Sequence, residues 1–259
     1  MLDGSERPYV PDPNGPTCLR APGSWQNVRM PPAAPADVRR ADVWFVVPAY
    51  NEGTVIGGVI SEIREAGFSV VVVDDASSDA SGAISRAAGS VVVHHATNLG
   101  QGAALQTGIE FALRRKASYL VTFDADGQHR LEDAIGMLEL AQTDGLGFVF
   151  GSRFLDDRTD TGRLKRLVLL LAAWFTRQST GMRLTDAHNG LRLIRADVAA
   201  RVDLLQNRMA HATEIVRLLG RTQQPWAEYP VHVLYTDYSR GKGQSLWNSV
   251  NILVDLMFR

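Results

Sequence analysis

Cysteine is nearly absent from this chain: Cys18 is the single thiol in 259 residues. One thiol cannot close an internal disulfide, and it rules out a Cys-based metal site and dithiol redox chemistry, so a reducing, cytoplasmic compartment is expected. An excess of either charge is also lacking. Lys and Arg number 27 against 28 Asp and Glu, a net charge of −1, and bulk electrostatics therefore marks no nucleic-acid binder. Long apolar runs are missing. The longest, Leu167–Phe175, is about half of the roughly 18 residues that a membrane-spanning helix requires. The first thirty residues carry no apolar signal core, so no secretion signal is expected. Proline is scarce beyond residue 40, because eight of the eleven lie before it. Residues 1–40 thus read as a flexible Pro-rich leader without enough apolar surface to order itself. Residues 41–259 form the folded part, and the 45% hydrophobic content suffices for a sizeable core in a single domain.

What is present is an alternation of short apolar runs with helical patterns. Val43–Val47 reads as a strand ending at Pro48. Thr54 is placed to cap a helix whose Val55, Ile56, Val59, Ile60 and Ile63 follow the 3.6-residue period, and Gly67 ends it. Strands follow at Val70–Val73, Val91–His94, Tyr119–Phe123 and Phe148–Phe150. Helices are expected over Asp79–Ala88, from Gly102 to about Lys116 and over Leu131–Ala141. Nearly continuous apolar strands alternating with helices predict an α/β fold with a mostly parallel sheet covered on both faces. Beyond Arg153 the pattern changes. Arg163–Arg177 is either a core-facing helix with basic ends or a helix lying in a lipid interface. Asp186–Arg192 is turn-rich and leads into a short strand, Met209–Glu214 opens a helix ending at Gly220, and Tyr229–Tyr235 reads as a late strand. Residues 238–245 form a basic loop, and Leu246–Phe258 a last amphipathic helix.

The stretch Tyr119–His129 carries the chemistry. A buried strand delivers Asp124 and Asp126 to its own carboxyl end, where ligands of open α/β sheets sit. Two carboxylates there repel unless a cation lies between them. Mg²⁺ or Mn²⁺ suits carboxylate oxygens and completes its shell with phosphate oxygens, and Gln128 adds a neutral oxygen nearby. Tyr50-Asn-Glu52, Asp74-Asp75 and Gly151-Ser-Arg153 also follow strands, so all four clusters converge on one cleft. Tyr50 is placed to meet a nucleobase, Asp75 to accept from a base N–H or a ribose hydroxyl. Read without a ligand, Glu52 is a helix-start acid and Asp74-Asp75 a turn. Gly100-Gln-Gly102 lacks the third glycine of a dinucleotide fingerprint, since position 105 is Leu. Asp124 and Asp126 share one loop and could not flank a glycosidic bond from opposite faces as in a glycosidase. His211 and Glu214 fall on one helix face, as a satisfied polar patch more naturally than as ligands, and His129 is placed beside the metal ligands.

In this order and spacing, VVPAYNE, VVVDDASSD, FDADGQH and GSR resemble family 2 glycosyltransferases of the GT-A fold, nearest to the dolichol- or polyprenyl-phosphate mannosyl- and glucosyltransferases. The resemblance is strong over residues 43–155 and looser over 156–245. It implies a nucleotide-sugar half over 41–155 and an acceptor half over 156–259, a GDP- or UDP-hexose donor, and transfer with inversion to a polyprenyl phosphate. It places Pro48, Ala49, Tyr50, Glu52, Val73, Asp74 and Asp75 at the nucleoside. Asp124, Ala125, Asp126 and Gln128 fall at the metal and diphosphate, Arg153 near the sugar or the acceptor phosphate, and Arg240 on the loop that closes over the donor. Where relatives carry Lys after the late Gly-x-Ser, this chain has Leu246, which leaves Lys242 or Arg240 to neutralise phosphate. A phosphate acceptor is already ionised and needs no base. A sugar-hydroxyl acceptor would need one, from Asp186 or Glu214. A lipid acceptor implies peripheral association with the inner membrane face. A nucleotide-sugar-binding module without turnover is the reading from outside enzymology.

Overall fold

The computed structural model describes residues 38–155, 182–207 and 210–234. Among these, seven strands form one sheet: β1 (Val43–Ala49), β2 (Ser69–Asp74), β3 (Val91–His94), β4 (Tyr119–Thr122), β5 (Phe148–Ser152), β6 (Arg192–Arg195) and β7 (Trp226–Pro230). Their order across the sheet is β3-β2-β1-β4-β6-β5-β7. Six strands run one way, as predicted. β6 runs against both neighbours, β4 and β5. This reversal positions the site, because β6 begins where the others end. The turn-rich segment before it is therefore brought to the same carboxyl edge as the acidic clusters.

The period-2 alternation of each strand divides two cores between the faces of the sheet. Phe45, Val47, Val121 and Val149 pack on one face with α1 (Ile56–Glu65) and α4 (Leu131–Asp144). Val46, Val71, Val73, Leu120, Phe148 and Phe150 pack on the other. That face is covered by α3 (Gln101–Arg114), α5 (Ala196–Ala199) and α6 (His211–Arg221), while α2 (Ser81–Ala87) leans on α1 and β3. In α1 the periodic residues Ile56, Val59, Ile60 and Ile63 are all buried, each contributing about 1.5–3 kcal/mol of transfer free energy. Gly67, at φ +90°, ends that helix as expected: its N–H reaches the Arg64 carbonyl and that of Phe68 the Ile63 carbonyl.

Two local expectations are corrected. Thr54 does not cap α1. The flanking residue is Val55, no side chain caps the helix, and the Glu52 carbonyl receives the Val55 and Ile56 amides instead. The late strand lies at Trp226–Pro230 rather than 229–235, because β5 ends at Ser152, opposite Pro230. Beyond it the amides leave the sheet: His232 N–H donates to Asp133 Oδ2 (2.8 Å) and Leu234 N–H to the Gln128 carbonyl (2.9 Å). Arg40, placed by expectation in the leader, is packed on the fold: it lies over Phe68 (5.3 Å) and donates to the Ala66 carbonyl (3.0 Å). The helices expected at 163–177 and 246–258, and the loop bearing Arg240 and Lys242, lie outside the described residues. No helix among the described residues is long and apolar enough to cross a membrane.

Candidate active site

The carboxyl ends of β1, β2 and β4 open onto a cleft of about 530 Å³, in the size range of small-ligand sites. From β1 come Pro48, Ala49, Tyr50 and Glu52, from β2 Asp75, and from β4 Asp124, Ala125 and Asp126. Tyr50 is half exposed at the mouth. The remaining wall is Asn98, Gly100, Gln101 and Ala104, from the approach to α3 and its first turn. The loop after β1 is held by the loop after β2. Asn51 N–H donates to Ser77 Oγ (3.0 Å), Asn51 Oδ1 accepts from the Ser78 amide (2.8 Å), and Glu52 N–H donates to Ser81 Oγ (2.8 Å). Asn51 adopts φ +57°, a left-handed geometry that Asn tolerates.

The Val-Asp-Asp run separates into three roles. Val73, expected at the nucleoside, is fully buried in the core over Gly108 of α3 and is not among the residues that line the cleft. Asp74 serves the turn, accepting from Ser77 N–H (3.0 Å) and meeting His94 Nδ1 (3.1 Å), as the ligand-free reading had it. Asp75 lines the cleft and organises its far wall. It accepts from the Leu99 and Gly100 amides (2.9 and 2.7 Å) and from His95 Nδ1 (2.7 Å), whose other nitrogen meets Thr107 Oγ1 (3.0 Å). Burial pushes the Asp75 carboxyl up, but the Leu99 amide, His95 and the Gly100 amide outweigh it and hold it below the usual range. The Leu99 and Gly100 amides donate to different oxygens of Asp75, so Asp75→Asn would turn its NH₂ toward one of these donors and should cost about 1–3 kcal/mol by urea denaturation at pH 7. Because the folded carboxyl titrates below its unfolded value, that stabilisation is complete above about pH 5 and fades below about pH 4. The stability gap between wild type and variant should therefore close only in acid.

Asp124 and Asp126 stand together at the end of β4. Asp124 Oδ1 accepts from Gln101 Nε2 (3.1 Å) and Oδ2 meets His129 Nε2 (3.0 Å). Asp126 Oδ1 accepts from the Gln128 amide (3.0 Å), so Gln128 contributes its backbone to the pair. Their environments diverge. Burial raises Asp124, but the His129 hydrogen bond and the charges of His129, Arg192 and His211 leave it lowered. Asp126 is raised by burial and then by the negative charge of Asp124. A pair in which one carboxylate penalises the ionisation of the other suits a divalent cation. The donor set fits Mg²⁺ or Mn²⁺ held by one or two carboxylates together with substrate phosphates. No cluster of three or more His, Cys, Asp or Glu that could hold a metal by itself occurs among the described residues. His129 supports Asp124 from behind, with Nε2 on the carboxylate and its ring against Phe123 (5.4 Å).

Arg153, just after β5, and Asp186, in the turn-rich segment before β6, pair with each other at the same edge of the sheet, outside the residues that line the cleft. Arg153 Nε and Nη2 grip Asp186 Oδ2 and Oδ1 (2.6 and 2.8 Å), and the Arg153 amide adds a third bond (3.2 Å). The Asp186 side chain is 1% exposed. Asp186, expected as a candidate base, thus has both carboxylate oxygens engaged by Arg153. Glu214, the other candidate base, is engaged by backbone amides. It is buried at the start of α6, its Oε2 receives the Leu205 and Gln206 amides (3.1 and 2.8 Å), and it stands outside the cleft wall. Behind Asp186 lies Glu228 of β7, whose Oε1 accepts from Thr185 N–H (2.8 Å), Thr185 Oγ1 (2.9 Å) and Asp186 N–H (3.2 Å). Burial raises its carboxyl. Glu228→Ala would leave those donors unpaired, costing roughly 1–3 kcal/mol. It should also lower turnover by loosening the Asp186–Arg153 clamp, and thermal denaturation with steady-state kinetics checks both effects.

Four site residues were not singled out from the sequence for the roles they play. Gln101 holds Asp124, and Gly100, at φ +98°, sits where a side chain would strike the Asn207 carbonyl. The Gly-Gln-Gly triplet signals these two, as a tight helix entry rather than a cofactor fingerprint. Gly190 lies against the Asp124 carboxylate, and Arg192 is buried below it at 2% exposure. Asn-Gly-Leu-Arg before a short strand is the local signal for this pair.

A GT-A glycosyltransferase is the class of protein this fold and cleft define. Glucosyl-3-phosphoglycerate synthase from Mycobacterium tuberculosis, solved with uridine diphosphate, superposes with a TM-score of 0.60 at 18% identity, covering 83% of this chain and 78% of that one. The sequence profile of glycosyl transferase family 2 matches residues 44–202, and the chain belongs to that family. It is 31% identical over 228 residues to Uncharacterized protein MJ1222 of Methanocaldococcus jannaschii, covering 86% of this chain and 94% of that protein. It is 34% identical over 175 residues to the undecaprenyl-phosphate mannosyltransferase of Micrococcus luteus, covering 62% of this chain and 70% of that enzyme. The protein is an enzyme, a glycosyltransferase.

Proposed function

We propose that the enzyme moves a hexose from a GDP- or UDP-sugar to a polyprenyl phosphate, with a divalent cation and with inversion at the anomeric carbon. The observation that carries the acceptor class is the state of the two candidate bases: Asp186 is gripped by Arg153 and Glu214 by backbone amides. A hydroxyl acceptor needs a carboxylate to take its proton, whereas a phosphate monoester, with a second pKa near ~6, is ionised at neutral pH. The undecaprenyl-phosphate mannosyltransferase relative supports the same acceptor.

In this reading Pro48, Ala49, Tyr50 and Asp75 shape the nucleoside end of the cleft, and Asp124 and Asp126 hold Mg²⁺ or Mn²⁺ with the donor diphosphate. When bound, the cation stabilises charge on the departing nucleoside diphosphate. Arg153, fixed in direction by Asp186, supplies positive charge for the acceptor phosphate. A phosphate oxygen forms the new bond to C1 as the bond from C1 to the diphosphate oxygen breaks, and no proton is transferred. Arg240 and Lys242 would supply positive charge over the donor phosphates. A lipid acceptor places the enzyme at a membrane surface.

A thermal-shift panel of nucleoside diphosphates with and without Mn²⁺ tests the donor half, since a ligand that binds only the folded chain raises its midpoint. One diphosphate should stand out, and only with the cation. Equal shifts without it would remove the metal from the site.

A further inference from the structure

Arg192 is among the largest fully buried side chains of the protein, and its Nε–H has no acceptor among the described residues. A buried guanidinium is costly to desolvate, more so with an N–H left unpaired, so its surroundings should hold compensating charge. Cross-strand register shows where that charge lies. Arg192 is paired with Thr122 of β4 on one side and Phe150 of β5 on the other. Paired residues point to the same face, and the next same-face position beyond Thr122 is Asp124, diagonal to Arg192 and within reach of so long a side chain. The position opposite Asp124 is Gly190, whose missing side chain makes room for the Asp124 carboxylate, and whose carbonyl accepts from Thr122 Oγ1 (2.6 Å). Toward β5, the Leu191 carbonyl receives the Gly151 amide (3.0 Å), and Thr185, next to Asp186, meets Ser152 (2.6 Å).

From this placement we infer that Arg192 is a positioning residue for sugar transfer, a fixed countercharge beneath the site that serves Asp124. Burial lowers its pKa to about 10, against the pull of Asp124 and Asp186, so it stays charged at neutral pH. In the intervals when no cation and diphosphate are bound, this charge limits the repulsion around Asp124 and keeps the carboxylate aimed into the cleft. It also opposes the cation, so the site releases metal and diphosphate more readily than the two carboxylates would alone.

The inference rests on Asp124 and Asp126 holding the cation, and its test separates the two. Mn²⁺ alone is titrated into the full chain and the free ion followed by electron paramagnetic resonance, for wild type, Arg192→Met and Arg192→Lys. Arg192→Met should bind Mn²⁺ about threefold or more tightly, because an opposing charge has gone. Its kcat should fall at least about tenfold with no rise in the donor KM, because the loss falls on positioning and release rather than on donor contacts. Arg192→Lys, which keeps the charge, should bind Mn²⁺ within about twofold of wild type and recover most of kcat. A folded Arg192→Met chain with unchanged or weaker Mn²⁺ binding would overturn the countercharge role. So would an Arg192→Lys chain whose Mn²⁺ affinity drops together with its thermal midpoint, and this second criterion stands even if Arg192→Met does not fold. Absence of Mn²⁺ binding in the wild type would instead remove the metal reading, and this inference with it.

Discussion

Asp126→Asn is expected to abolish sugar transfer, by about 10³-fold or more, without lowering the thermal midpoint of the unliganded protein. The two effects part because Asp126 is the strained member of the pair. Burial and the charge of Asp124 raise its carboxyl, and Glu52 adds to the same effect. Its Oδ1 accepts from the Gln128 amide, a bond that an asparagine oxygen can also accept. Removing the charge thus relieves repulsion in the empty site while halving the anionic donor set available to Mg²⁺ or Mn²⁺. The Mn²⁺-dependent part of any nucleoside diphosphate thermal shift should vanish with the activity. Substantial turnover by the variant in Mn²⁺ would mean that Asp126 is a loop residue after all.

Gly190→Ala is the second change with a large expected effect, and it acts without touching a charge. A Cβ at Gly190 would overlap the Asp124 carboxylate. The colliding atoms are the end of a side chain, so the fold need not yield; Asp124 moves instead, breaking its bonds to Gln101 and His129. A displacement near 1 Å at a catalytic group can cost about 10²-fold, and a loss of that order in kcat is expected with the thermal midpoint within a few degrees of wild type. Activity within threefold of wild type would show that the carboxylate is not held where Gly190 leaves room for it.

The elements legible in the sequence are those in which one physical signal dominates. β2 is a run of four valines, buried throughout, and the stripe of α1 repeats at the helical period. The acidic pair was legible because a strand that ends in two carboxylates has few structural reasons to do so. What stayed hidden depends on contacts distant in sequence. β6 is four residues with an arginine at each end, and nothing local states that it runs backwards between β4 and β5. Without that reversal, Gly190 and Arg192 read as a turn and a strand end, although the reversal sets one against Asp124 and the other beneath it. Asp186 looked available as a base because its partner, Arg153, is 33 residues away. Glu214 looked like a site acid because its helix position is polar, whereas it anchors the 205–206 backbone. Asp74 and Asp75 are adjacent and chemically identical, and only the loops around them separate a turn anchor from a cleft residue.

The central claim is transfer to a phosphate monoester without a protein base. The most direct measurement supplies a short-chain prenyl phosphate and the matching prenol in parallel, each with the nucleotide sugar identified by thermal shift and with Mn²⁺, and follows release of nucleoside diphosphate together with the glycosylated lipid. The account predicts product from the phosphate alone, loss of that product with EDTA, and a rate that rises with the ionised fraction of the phosphate and then levels off at higher pH. Product from the prenol, or a rate unaffected by replacing the phosphate with a hydroxyl, would contradict it and return the search to a carboxylate base.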